Sequence, residues 1–143
     1  AEGRLRPYVA MAAGLEAEDN RLLHRACDAV ATGRFDSPQP ALCGEVARIH
    51  GDLWAGNFMA VPGGAALFDP ASCYADREME FGMITLFGGF SSRFWSAYQE
   101  SYPLSPDWKE RNRLYQLYHL LNHYLLFGGG YGRQALEIAR SYL

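Results

Sequence analysis

The stretch that decides how this sequence folds runs from His50 to Ser72 and reads HGDLWAGNFMAVPGGAALFDPAS. Two short apolar runs flank Pro62–Gly64, which predicts a β-hairpin with a turn at these residues. Asp52 and Asn57 come just before the first run, and Asp69 comes just after the second. Because a hairpin returns the chain to its starting point, the pattern predicts that Asp69 reaches the same place as Asp52 and Asn57.

Helical patterns lie on both sides of this segment. Apolar residues recur at helical spacing between Ala17 and Thr32, and Gly33 is the predicted end of that helix. The pattern becomes helical again after Asp76, which is a plausible N-cap. Further helices are predicted over Glu2–Ala13 with a regular start near Arg6, over Ser91–Tyr102, from Pro106 to about Phe127, and after the GGGYG segment. The fold class is therefore mainly α with one small β-hairpin (α+β), in a single domain over residues 1–143.

Composition and charge exclude several functional classes. The chain has 143 residues, of which 49% are hydrophobic, and its net charge is -3. Lys and Arg form no run, so neither a nucleic acid nor an anionic membrane surface is an expected partner. No apolar stretch reaches the roughly 20 residues that span a bilayer. The odd number of cysteines (Cys27, Cys43 and Cys73) favours free thiols in a reducing cytoplasm, so the expected localisation is cytoplasmic.

The spacing in His50–Asn57 indicates phosphoryl transfer. H-G-D-x-x-x-x-N places an Asp and an Asn as in the catalytic loop of protein kinases. Transfer from ATP needs a carboxylate that accepts the proton of the attacking hydroxyl, and oxygen ligands for Mg²⁺. We therefore predict Asp52 as the catalytic base and Asn57 with Asp69 as the Mg²⁺ ligands that also bind the nucleotide. His50 is predicted to brace the loop through hydrogen bonds.

Other interpretations of these residues remain open. A Gly-Asp or Asp-Pro pair by itself is usually a turn, and Asn57 after Gly56 is compatible with a turn as well. His119 and His123 share a helix face at a spacing that can bind zinc, but the accompanying Glu of an H-E-x-x-H motif is missing. GGGYG is expected to connect two helices, because no strand precedes it and no Lys follows it.

HGDLWAGN, together with FDPASCYADREMEFGMITLFGGF from Phe68 to Phe90, resembles the fructosamine kinases, also called ketosamine-3-kinases. These enzymes share the protein-kinase-like fold with aminoglycoside phosphotransferases and choline kinases. The resemblance implies ATP-dependent phosphorylation of the sugar 3-hydroxyl on a small-molecule or protein-bound ketosamine, a step in deglycation. It also implies that Glu80 supports the catalytic-loop backbone. Arg77 and Glu78 are expected either to pair internally or to line the sugar site.

The resemblance also implies a part that these residues do not supply. Members of the family begin with a β-rich lobe that covers the nucleotide, and residues 1–143 match the C-terminal lobe alone. We therefore expect the 143-residue chain by itself to be inactive, and we expect homodimerisation through the exposed lobe interface. Two alternatives stay open: an aminoglycoside- or choline-type phosphotransferase, and a non-catalytic truncated binding module.

Overall fold

Helices make up most of the structure, which is a computed structural model that describes residues 2–12, 14–36 and 46–143. Four short strands lie between the second and third helices of the described chain. In chain order, the elements are α1 (Glu2–Met11), α2 (Ala17–Ala31), β1 (Val46–Ile49), a 3₁₀ turn (Ala55–Asn57), β2 (Phe58–Val61), β3 (Gly64–Leu67), β4 (Cys73–Asp76), α3 (Glu78–Phe87), α4 (Ser92–Ser101), α5 (Trp108–Phe127) and α6 (Tyr131–Ser141).

The chain forms two compact units. The first comprises residues 1–36 and 113–143, and the second comprises residues 37–112. In the first unit, α1 packs on α2 and α2 packs on α6, around buried apolar side chains that include Leu23 and Leu121. The second unit carries all four strands and every residue of the predicted site. The assignment of residues 1–143 to one domain stays a prediction.

The predicted hairpin is present in the second unit. β2 and β3 pair antiparallel from Phe58 opposite Leu67 to Val61 opposite Gly64. Pro62 and Gly63 form the turn, and Gly63 has a φ of 80°, a left-handed conformation that glycine adopts without a steric penalty. The backbone pairing therefore fixes which residues meet at the open end of the hairpin.

A second two-stranded sheet was not predicted. β1 pairs antiparallel with β4, from Val46 opposite Asp76 to Ile49 opposite Cys73. The prediction of one hairpin is correct, because β1 and β4 lie far apart along the chain and form no hairpin, but the pairing of these two strands was missed. The physical reason is that Cys73–Asp76 is too short to show an alternating pattern, and its partner lies far back along the chain. Asp76 ends β4, and its Oδ1 accepts the N–H of Glu78 at 2.9 Å. The N-cap of α3 is Arg77, so the prediction of Asp76 as the N-cap is wrong by one residue.

The predicted helix ends are mostly confirmed. Gly33, Gly88 and Gly128 follow α2, α3 and α5 with positive φ values of 73°, 72° and 67°. The predicted start of α1 near Arg6 is wrong, because the helix begins at Glu2 and contains Pro7. The loop predicted around Pro38 and Pro40 lies outside the described residues. None of the described helices combines the length and the hydrophobicity needed to cross a bilayer.

Aromatic side chains form the core of the second unit. Phe81 on α3 is 2% exposed and contacts the rings of Trp95, Tyr98 and Trp108. Burial of a phenylalanine side chain stabilises a fold by about 2–3 kcal/mol. Because Phe81 fixes α3 against α4 and α5, the neighbouring Glu80 is held at a defined position.

Candidate active site

Glu80 holds the start of the catalytic loop. Its carboxylate accepts the backbone N–H of His50 at 2.5 Å and that of Gly51 at 3.1 Å. Burial raises the pKa of Glu80 above its ordinary value, while the N–H groups of Gly51 and His50 favour the charged form and oppose that change. One side chain on α3 therefore satisfies two loop donors, which is the contact expected of a supporting residue. The functional role of Glu80 remains a prediction.

Gly51 brings the catalytic loop against the segment that follows Asp69. It has a φ of 83°, and a Cβ at this position would lie 2.3 Å from the carbonyl oxygen of Ala71. A side chain here would therefore meet both a strained backbone and a backbone clash. Glycine is required because the two halves of the site approach each other at this point.

His50 joins the same two halves through its ring. Its Nε2–H donates to the carbonyl oxygen of Phe68 at 2.9 Å, and its Nδ1 accepts the N–H of Asp52 at 3.4 Å. A carbonyl oxygen can only accept, so the Nε2 of His50 carries a proton. Both ring nitrogens face backbone groups, which suits the bracing role predicted for His50 better than proton transfer.

Asp52 and Asn57 are in direct contact. The Nδ2 of Asn57 donates to the backbone oxygen of Asp52 at 2.9 Å and to its Oδ2 at 3.1 Å. These bonds fix the amide, so the Oδ1 of Asn57 points away and accepts no hydrogen bond from the described residues. Asn57 is only 7% exposed, which holds the pair rigidly. The Oδ1 of Asp52 likewise has no partner within the described chain.

Asp69 reaches the site through the hairpin backbone. The N–H of Phe68 donates to the carbonyl oxygen of Asn57 at 3.2 Å, which extends the β2–β3 pairing by one step. Asp69 follows with a φ of 51°, and no other non-glycine residue in the described ranges has a positive φ. Its exposed carboxylate makes no hydrogen bond or ion pair with a described residue. The structure thus brings Asp52 and Asn57 into side-chain contact, and Asp69 is linked to them through Phe68.

Magnesium would find suitable oxygen donors here. The Oδ1 of Asn57 and the carboxylate of Asp69 are both unused, and Mg²⁺ is usually held by one or two carboxylates together with water and phosphate oxygens. Within residues 2–12, 14–36 and 46–143, no three His, Cys, Asp or Glu side chains cluster as a metal site. In the pair of histidines whose spacing can bind zinc, the Nδ1–H of His123 donates to the carbonyl oxygen of His119 at 2.8 Å, within α5.

Arg77 and Glu78 do not pair with each other. Both carboxylate oxygens of Glu78 accept from the guanidinium of Arg111, at 2.8 Å each. Arg77 donates to the hydroxyl of Tyr98 at 3.0 Å and to the carbonyl oxygen of Tyr102 at 2.9 Å, and it stacks over the Tyr102 ring at 3.9 Å. These contacts join α3 to α4 and α5, so the two charged residues fix the helix that carries Glu80.

Arg111 was missed at the sequence level, although a signal was present. It precedes Leu114 by one turn on the apolar face of α5, and it is 7% exposed. An arginine on a buried helix face requires a partner, because an unpaired charge in the interior is very costly. That signal predicts a buried ion pair, but it does not say which of the carboxylates in the chain is the partner.

Fold and site together define the class as a kinase-like protein. A crystal structure of a candidate fructosamine-3-kinase from Thermobifida fusca matches 97% of this chain with a TM-score of 0.83 at 37% identity, over 48% of its own length. A second, from Haemophilus somnus, matches 87% with a TM-score of 0.68 at 28% identity, over 40% of its length. The predicted fold class, mainly α with small antiparallel sheets in a kinase-like fold, is confirmed.

The chain belongs to the fructosamine kinase family, whose sequence profile matches residues 3–143. The ketosamine-3-kinase of Mus musculus is 47% identical over 95 residues, which is 66% of this chain. The chloroplastic protein-ribulosamine 3-kinase of Oryza sativa subsp. indica is 46% identical over 96 residues, also 66% of this chain. The aligned part amounts to 31% and 28% of these two relatives, so the chain spans about a third of their length.

Proposed function

We propose that the protein containing these residues transfers the γ-phosphoryl group of ATP to the sugar 3-hydroxyl of fructosamines and other ketosamines. The observation that carries the proposal is the hydrogen-bonded pair of Asp52 and Asn57 on a loop held by Glu80. The names of the relatives, ketosamine-3-kinase and protein-ribulosamine 3-kinase, support the substrate class. Both a small ketosamine and a ketosamine attached to a protein fit this class.

Asp52 acts as the base in this proposal. Its Oδ2 is held by the amide of Asn57, while its Oδ1 is left to accept the proton of the attacking sugar hydroxyl. Asn57 and Asp69 are the proposed ligands of Mg²⁺, which neutralises charge on the β- and γ-phosphates when bound. Glu80 and His50 are positioning residues, because they touch the loop backbone and leave the reacting atoms to Asp52.

The substrate assignment is tested by a direct comparison of acceptors. We expect the protein, in a longer form that carries a nucleotide-covering lobe, to phosphorylate fructosyl-lysine with ATP and Mg²⁺. Kanamycin and choline serve as matched acceptors of the two alternative classes. Turnover of kanamycin or choline without turnover of fructosyl-lysine would replace the proposal with an aminoglycoside- or choline-type kinase. Binding of ATP without turnover of any acceptor would favour a non-catalytic module.

We also propose that binding of the nucleotide requires a second lobe. Asp52, Asn57 and Asp69 supply the base and metal ligands, but family resemblance assigns the covering of the nucleotide to a β-rich lobe. Calorimetry with Mg²⁺-ATP should show weak or no binding to the 143-residue chain and clear binding to the longer form. Equal, tight binding of Mg²⁺-ATP by both forms would contradict the need for a second lobe.

A homodimer through the hairpin is also proposed. The apolar side chains of Phe58, Met59, Leu67 and Phe68 are between 37% and 54% exposed on the two hairpin strands and the residue after them. Exposed apolar surface of this kind favours association. Sedimentation should show a dimer of the chain that Met59→Lys dissociates, whereas the exposed charge change Arg93→Glu on α4 leaves it intact. Cys27 and Cys73 form no disulfide within the described residues, which supports the proposed cytoplasmic location.

A further inference from the structure

A cleft opens between α4 and α5 in the second unit, and none of its lining residues belongs to the candidate active site. Its volume is about 490 Å³, which lies within the range of small-molecule sites. Trp95, Tyr98, Leu104 and Trp108 form its apolar walls, and Ser96, Gln99 and Lys109 lie at its polar edge. The proposed phosphoryl transfer makes no use of these residues, so the cleft needs an explanation of its own.

The walls are flat, aromatic and rigid. The rings of Trp95 and Trp108 are nearly parallel, with an interplanar angle of 17° and centroids 5.7 Å apart. Phe81 packs behind both, at 5.5 Å from Trp95 and 5.8 Å from Trp108. Side chains that are held in this way lose little entropy when a ligand binds. Because these two rings stack on each other, a planar aromatic group would pack on the parts of the rings that line the cleft.

The polar edge offers hydrogen-bond donors and one positive charge. The Oε1 of Gln99 accepts the N–H of Leu104 at 3.2 Å, so its Nε2 is turned the other way and has no partner in the described chain. Lys109 is exposed and forms no ion pair with any described carboxylate. The nearby carboxylate of Asp107 is already bound to Arg111 at 2.7 Å. Unpaired donors beside an ammonium group complement a carboxylate.

We propose that the α4–α5 cleft binds a small aromatic carboxylate, with its ring against Trp95 and Trp108 and its carboxylate at Lys109 and Gln99. The size, the apolar walls and the charge of the edge all point to this one chemistry. The inference does not rest on the proposed kinase activity, because it concerns binding at other residues. A neutral aromatic molecule would gain the same ring contacts but would leave the ammonium group of Lys109 without a counter-charge.

Nuclear magnetic resonance of the tryptophan indole N–H groups tests the site, with phenylacetate as the probe. The chain has 3 tryptophans, so each is observed separately. We expect phenylacetate to shift the signals of Trp95 and Trp108 and to leave that of Trp54, in the catalytic segment, unchanged. At about 10 mM phenylacetate, a binding free energy of only about 4 kcal/mol would already produce a visible shift. The absence of any shift at this concentration would overturn the proposal. A shift of Trp54 alone would also overturn it.

The carboxylate assignment is tested with phenylacetamide, a neutral probe of the same shape. We expect it to bind at least about threefold more weakly than phenylacetate, since an exposed charge pair contributes modestly. Lys109→Met should remove that preference, and Lys109→Arg should retain it. Arg93→Met removes an exposed cation of α4 that does not line the cleft, and it should change neither affinity. Equal binding of the two probes to the unmodified protein would contradict a carboxylate at Lys109.

Discussion

At the scale of single residues, Asp52 is the proposed base, and its side chain makes few contacts that could stabilise the fold. Its side chain has one described partner, the amide of Asn57, and its other oxygen has none. Replacement of Asp52 by Asn keeps the shape and removes the proton acceptor. In a longer form that carries a nucleotide-covering lobe, we expect kcat to fall by about a hundredfold to ten-thousandfold.

The control for Asp52→Asn is nucleotide binding. The proposed metal ligands Asn57 and Asp69 are not substituted, so the Kd for Mg²⁺-ATP measured by calorimetry should stay within about twofold, a difference of less than about 0.5 kcal/mol. A large loss of ATP binding would mean that Asp52 holds the metal instead of acting as the base. Unchanged kcat would remove Asp52 from the chemistry altogether.

Asp69, in contrast to Asp52, is expected to affect stability as well as function, because its backbone is strained. A non-glycine residue with a φ of 51° loses about 1 kcal/mol relative to glycine, and such strain tends to persist at functional sites. We therefore expect Asp69→Gly to raise the free energy of unfolding by up to about 1 kcal/mol, less the entropy that glycine gains in the unfolded chain. The same change should abolish metal-dependent binding of ATP.

Asp69→Asn separates the two effects. Asparagine tolerates the left-handed conformation and keeps an oxygen ligand, but it lacks the negative charge that favours Mg²⁺. We expect stability close to that of the unmodified protein and a higher Mg²⁺ concentration for half-maximal nucleotide binding. If Asp69→Gly binds Mg²⁺-ATP as well as the unmodified protein does, Asp69 is not a metal ligand.

At the scale of elements, the sequence predicts those features that depend on residues close together along the chain. The β2–β3 hairpin depends on a turn at Pro62–Gly63 and on neighbouring strands, so its existence and its ends could be read from the sequence. The pairing of β1 with β4 and the ion pair between Glu78 and Arg111 depend on residues that are distant along the chain. Periodicity and turn chemistry carry no information about such partners, which is why both were missed.

Gly51 lies where the catalytic loop approaches the segment that follows Asp69. Gly51→Ala places a Cβ 2.3 Å from the oxygen of Ala71 at a φ of 83°, so the loop must move away from the segment that follows Asp69. We expect a loss of about 3 kcal/mol or more, because backbone strain and a clash with backbone add together. Chemical denaturation of the purified variant measures this loss.

Gly63→Ala is the matched control for Gly51→Ala. Gly63 has a nearly identical φ of 80°, but a Cβ there would meet no atom within 4 Å. Its replacement should therefore show the cost of the conformation alone, about 1 kcal/mol. The difference between the two variants isolates the contact of the loop with Ala71. Equal losses would mean that this close approach does not exist in solution.

At the scale of the whole molecule, stability in acid should depend on the ion-pair network that joins α3 to α5. Hydrogen bonds from Arg111 and then from Ser105 hold the pKa of Asp107 well below its usual range. A carboxylate with a depressed pKa in the folded state stabilises the protein above its unfolded pKa, and this stabilisation is lost as the pH falls through the folded pKa. The advantage of the unmodified protein over Asp107→Asn should therefore be constant above about pH 5 and shrink below about pH 4.

The side chain of Asp107 is 26% exposed, so solvent weakens the pair and the plateau difference should be only about 1–2 kcal/mol. Urea denaturation of both proteins at a series of pH values measures it. Asp28→Asn is the control, because Asp28 is 63% exposed in its pair with Arg6 and should contribute less than about 0.5 kcal/mol at any pH. A difference between the unmodified protein and Asp107→Asn that stays constant down to pH values near 3 would show that Asp107 is not paired in the folded state, since only a titrating carboxylate can lose its contribution there.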